Sequence, residues 1–100
     1  MSPTYQRIPS FSDDWKKLTP QQRKLFLVSV TKLVADLKGG TGFRKSLRVK
    51  RVEGMKSVQV YEMTWAPDGR ATWEYGEEIR PGQPHVIWRR IGTHSIFRQP

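Results

Sequence analysis

The stretch VQVYEMTWAPDGRATWEY, residues 58–75, decides how this chain folds. In 58–65 the side chains of Gln59, Tyr61, Met63 and Trp65 fall on one face of an extended run, and Val58, Val60, Glu62 and Thr64 on the other. Residues 66–69, APDG, carry Pro at the second position of a turn and Gly at the fourth. In 70–75 the alternation resumes, with Ala71, Trp73 and Tyr75 opposite Arg70, Thr72 and Glu74. A β-hairpin with these two faces needs a second layer to cover its aromatic side. Its polar side (Glu62, Thr64, Arg70, Thr72, Glu74) is ordinarily left to solvent.

The covering layer lies upstream. TPQQRKLFLVSVTKLVADLKGG, residues 19–40, predicts a helix from Pro20 to Lys38. Thr19 caps it, Pro20 suits the first helical position, Gln22 completes a capping box and Gly39-Gly40 ends it. Phe26, Val30, Leu33 and Leu37 recur at helical spacing, flanked by Leu27 and Val34. Before it, PSFSDDWKKL predicts a shorter helix capped by Ser10 or Ser12, with Asp13 and Asp14 in the first turn and Phe11, Trp15 and Leu18 on one stripe. The junction is tight, so the two form a helical hairpin.

Three more runs read as strands: TYQRI (4–8), FRKSLRVKRV (43–52) and HVIWRRIG (85–92). In the last, Arg89 and Arg90 are adjacent and point to opposite faces unless a bulge intervenes. The expected architecture is α+β: an N-terminal helical hairpin packed on one face of a twisted antiparallel sheet of about four strands, with residues 1–100 as a single domain.

Composition narrows the function. Lys and Arg number 18 against 9 Asp and Glu, a formal charge of +9. That excess favours a polyanionic partner, nucleic acid first. There is no cysteine for a disulfide or a thiolate metal site. No apolar run approaches membrane-spanning length, and the N-terminal residues lack the apolar segment of a secretory signal, so a cytoplasmic protein without membrane contact is expected.

The polar face would bring Arg70, Arg90 and Glu62 together, with His94 just beyond the last strand. Arginine's planar fork suits phosphate. Histidine carries a proton either way near neutral pH. A carboxylate can accept the proton of a ribose 2′-hydroxyl. These are the parts of a ribonuclease that works without metal or cofactor; as the 2′-oxygen attacks phosphorus, arginines stabilise the transition-state charge and an acid protonates the departing 5′-oxygen. The run FRKSLRVKR, with Arg44, Lys45, Arg48, Lys50 and Arg51, followed by Lys56, offers a phosphate track or simply a charged edge strand. Trp88 and Trp65 can stack on bases or pack in the core, core packing being the stronger reading for Trp65. Asp68 has a structural use available in its turn. His85 lies about 30 Å from His94 along an extended strand, which sets it apart from the same site.

The order of elements, the hairpin VYEMTWAPDGRATWEY and above all RRIGTHSIF (89–97) resemble the RelE/ParE superfamily of bacterial toxins, closest to the YafQ branch. The resemblance spans residues 5–97. It implies the toxin of a type II toxin–antitoxin system that cleaves mRNA on the ribosome, contacts rRNA, and is silenced by an acidic cognate antitoxin, being monomeric when free. Carried over by position, His94 is the general acid, Arg90 a phosphate-binding arginine, Phe97 a base-contacting aromatic and Asp68 an active-site aspartate. Arg70 matches an arginine at the start of the central strand. The branch has histidines where this chain has Thr64 and Lys50, which leaves the base open between Glu62, His85, a lysine of RVKR, or none. Two alternatives follow: a catalytically inert RNA- or ribosome-binding protein of the same fold, and a ParE-like gyrase inhibitor, against which the Gly-Thr-His ending argues.

Overall fold

The computed structural model describes residues 3–55 and 57–100. Along the chain run β1 (Thr4–Arg7), α1 (Pro9–Lys16), α2 (Pro20–Gly39), β2 (Lys50–Arg51), β3 (Tyr61–Thr64), β4 (Gly69–Gly76) and β5 (His85–Thr93), with 3₁₀ turns at Lys45–Leu47 and His94–Arg98. Lys56, expected in the phosphate track, lies outside the described residues.

α2 forms as its end signals dictate. The Thr19 hydroxyl accepts from the Gln22 N–H at 3.1 Å, and the Thr19 N–H donates to Gln22 Oε1 at 2.8 Å. Gly40 follows in the left-handed region at φ 69°, its N–H on the Asp36 carbonyl. α1 starts earlier than its serines suggest. Ile8 stands at the N-cap with no side-chain cap, because Pro9 supplies helical φ at the first position. The Ser10 hydroxyl donates instead to the Arg89 carbonyl at 2.8 Å. Asp13 and Asp14 therefore fall beyond the first turn.

The sheet has five strands, not four, in the order β1-β5-β4-β3-β2, and it is mixed. β1 pairs parallel with β5, Thr4 opposite His85 through Arg7 opposite Trp88. A parallel partner some eighty residues away leaves no hairpin signature, so sequence patterning could not place it. The run 43–52 yields only Lys50–Arg51 as strand, because Leu47 drops into the core on a 3₁₀ turn and Arg48 takes a left-handed φ of 49°. β3 begins at Tyr61, three residues later than its alternation predicts.

The hairpin's aromatic face is covered as the alternation requires except at its end, where Tyr75 stays exposed. Met63, Trp65, Ala71 and Trp73 are buried with Phe11, Phe26 and Leu33 of the helices. Trp88 joins them. It sits 5.3 Å from Phe26, 5.6 Å from Trp73 and 5.8 Å from Phe11 between ring centroids. Trp88 is thus a core ring and cannot stack on a base.

A bulge sets the rest of β5. Trp73 pairs with Trp88 but Thr72 with Arg90, so Arg89 is the extra residue. Val86 and Trp88 before the bulge and Ile91 after it all pack toward the helices. Arg89 and Arg90 both go to the opposite face.

Candidate active site

Past β5 the chain turns back across the face that the helices leave open. Gly92 permits this, since a Cβ there would stand 3.0 Å from Ile96 Cγ2. Ile96 is buried against the sheet, and Thr72 beneath is completely buried. That face is therefore not simply solvated: the C-terminal turn covers it over β4 and β5. Beside β2 and β3 it stays open as a cleft of about 550 Å³.

The cleft gathers Lys50, Arg51, Glu53, Glu62, His94 and Phe97, with Met55 and Pro100 at its walls. Glu62 lies directly across the ladder from Lys50, and Glu62 Oε1 is 3.9 Å from Lys50 Nζ. The Glu62 side chain is 12% exposed and that of Lys50 71%, so the carboxylate is held in the floor and the ammonium hangs over it. His94 is exposed. Its ring meets the Phe97 ring edge-on, 4.8 Å between centroids. Among the described residues no hydrogen bond holds either His94 nitrogen. Two carboxylates, an imidazole, two cations and an aromatic ring thus share one open space. They can accept a proton, donate one, hold an anion and stack a base.

Other expected site residues stand elsewhere. Arg90 makes a two-pronged pair with Asp14 of α1, Nε to Oδ2 at 2.6 Å and Nη2 to Oδ1 at 3.1 Å, and its Nη1 donates to the Gln99 carbonyl at 3.0 Å. The Asp14 hydrogen bond holds the Arg90 guanidinium above its already high ordinary pKa. Arg70 curls onto its own turn, donating to the carbonyls of Gly69, Pro67 and Ala66. Asp68 is exposed on that turn, outside the cleft lining. Arg44 is paired with Asp36 at 2.9 Å, and that hydrogen bond lowers the Asp36 carboxyl below its ordinary range. Lys45 and Arg48 are exposed on the 3₁₀ segment before β2. His85 is buried at the other end of β5, Nδ1 2.8 Å from Thr4 Oγ1 and Nε2 2.8 Å from Gln6 Oε1. That leaves neither of its nitrogens for substrate.

Sequence reading missed Glu53, hidden in what reads as a turn, and Asp14, whose partner is 76 residues away. Among the described residues no three His, Cys, Asp or Glu side chains gather as metal ligands, and no helix is long and apolar enough to cross a membrane.

A two-helix layer on a five-stranded sheet, with an open cleft walled by a C-terminal turn, defines a fold already known. No protein family and no curated protein sequence matches the chain. Solved structures do. The toxin–antitoxin complex DinJ–YafQ of E. coli contains a chain that superposes with a TM-score of 0.66 at 14% identity, over 95% of this chain and 96% of that one. YafQ from E. coli strain BL21(DE3) gives 0.66 at 13% identity, over 93% and 94%. The Helicobacter pylori protein HP0894 gives 0.51 at 16% identity, over 93% and 96%. The chain has the YafQ fold over nearly its whole length.

Proposed function

We propose that this protein is an endoribonuclease toxin that cuts mRNA on the ribosome, acting in the cytoplasm and silenced by an acidic antitoxin. The observation that carries the reading is the cleft in which Glu62, His94, Lys50, Arg51 and Phe97 meet. Glu62 takes the proton of a ribose 2′-hydroxyl as the 2′-oxygen bonds to the adjacent phosphorus. The bond from phosphorus to the 5′-oxygen breaks, and His94 gives its proton to that oxygen. The products are a 2′,3′-cyclic phosphate and a 5′-hydroxyl. Lys50 and Arg51 face the charge that builds on the phosphoryl oxygens, and Phe97 stacks on a neighbouring base. Lys45 and Arg48 extend the basic surface along the approach to β2 and serve rRNA phosphates, while Arg44 stays forked onto Asp36. The DinJ–YafQ complex supports an antitoxin partner by likeness of fold.

A second reading, an RNA-binding protein of this fold without chemistry, draws on the internal capture of Arg90 and Arg70, which leaves the cleft with two cations. Primer extension on mRNA translated with the purified protein separates the two. Cuts in the ribosomal A-site that vanish with His94→Ala establish the enzyme. Salt-sensitive ribosome binding by both proteins without cuts establishes the binder.

A further inference from the structure

The segment that carries His94 and Phe97 has no regular secondary structure beyond one 3₁₀ turn, yet an acid catalyst must be held to a fraction of an ångström. Its outer end is tied down twice. Arg90 Nη1 donates to the Gln99 carbonyl at 3.0 Å, and Arg89 Nε donates to the Pro100 carbonyl at 3.1 Å. Arg89 is itself braced by Glu74, Nη1 to Oε1 at 3.2 Å. Arg90 is braced by Asp14, which also accepts the Ile91 N–H at 3.1 Å. Asp14 is 8% exposed, and α1 has its own packing reasons to sit there, through Phe11 against Trp88. One carboxylate thus joins three parts: the helix layer, the β5 backbone just past the bulge, and the C-terminal segment over the cleft.

We infer that Asp14 is a positioning residue of the cleft, acting through Arg90 to fix the path of the segment that presents His94 and Phe97. The inference rests on the proposed chemistry for its kinetic consequence, but its geometric content stands apart from it. Arg90 in this role does not bind the scissile phosphate. Each of its three nitrogens already donates to the protein, and turning the fork away from Asp14 would leave a largely buried carboxylate with the Ile91 N–H alone.

The chain has only two histidines, so its imidazole NMR signals report the two ends of β5 separately. His94 lies against the edge of Phe97, and its ring protons carry that ring's shift. In Asp14→Asn the His94 signals should move toward free-imidazole positions and broaden, while the His85 signals hold. In a cleavage assay kcat should fall on the order of 10²-fold with KM little changed, the signature of misplacement. Arg90→Lys keeps the charge, loses the fork, and should behave alike; it also serves if Asp14→Asn fails to fold. Unmoved His94 signals in a folded variant overturn the inference. So does a lower KM in Asp14→Asn, which would mean that the carboxylate competes with RNA phosphate for Arg90. If the unaltered protein cuts no RNA, the proposed function fails, and the histidine signals still decide the clamp.

Discussion

β5 begins and ends in a histidine environment, and the two ends could hardly differ more. At its start His85 is buried, and both ring nitrogens are taken by β1 through Thr4 and Gln6. At its end His94 is exposed, touches the edge of Phe97 and faces a cleft with Glu62 in its floor. The same side chain is a fastener in one place and a candidate acid in the other. The difference lies in what the ring nitrogens meet: a group whose hydrogen bonds are already made inside the fold has nothing left for substrate. The arginines obey the same rule. Arg90, best by residue type, donates from all three nitrogens inside the fold and Arg70 turns its Nη1 onto its own turn, whereas Lys50 and Arg51 are exposed and line the open space.

The sharpest test of this contrast sets one histidine against the other. His94→Ala should lower kcat for RNA cleavage by about 10²- to 10⁴-fold, the usual worth of a general acid. His85→Ala should leave cleavage within a few-fold, and an equal loss in a folded His85→Ala protein would break the comparison. Glu62→Gln should cost about 10²-fold, at the lower end of the same range. Phe97→Ala should weaken RNA binding by about 1–3 kcal/mol, read from KM or direct titration, because one stacked base loses its platform.

Smaller effects probe the fastened end. Denaturant unfolding of His85→Ala should show a loss of about 1–3 kcal/mol, since Thr4 and Gln6 lose their partner at the β1–β5 seam. Tyr75, paired with Val86 beside that seam, has its phenol pushed above the ordinary 10.0, chiefly by burial. Its neutral form is favoured in the fold. The resulting stability is complete below 10.0 and fades as pH rises through the folded value. Tyr75→Phe should flatten that alkaline decline, which melting temperatures taken across the range will show.

Much of the fold was written locally. The Thr19–Gln22 capping box, the Gly40 stop and the alternation of Met63, Trp65, Ala71 and Trp73 depend on neighbours one to four residues apart, so reading them needs no knowledge of the rest. The sequence of RRIGTHSIF also flagged His94 and Phe97, and the cleft holds both. Local signals misled where tertiary packing overrode them. FRKSLRVKRV alternates like a strand, but the core claims Leu47 and most of the run leaves the sheet. Trp88 resembles a stacking platform until its three aromatic neighbours are seen.

By itself, then, the sequence determined two helices, an aromatic-faced hairpin, a basic surface and a histidine-bearing C-terminal turn, because periodicity, caps and charge are properties of contiguous residues. Only the tertiary structure decided that β1 joins β5 in parallel, that a bulge sends Arg89 and Arg90 to one face, and that Asp14 claims Arg90. The first and the last of these depend on pairings across 81 and 76 residues, and the bulge on the register between two separate strands. Such contacts follow from how the layers close on one another, and no short-range pattern encodes which partner a side chain will find.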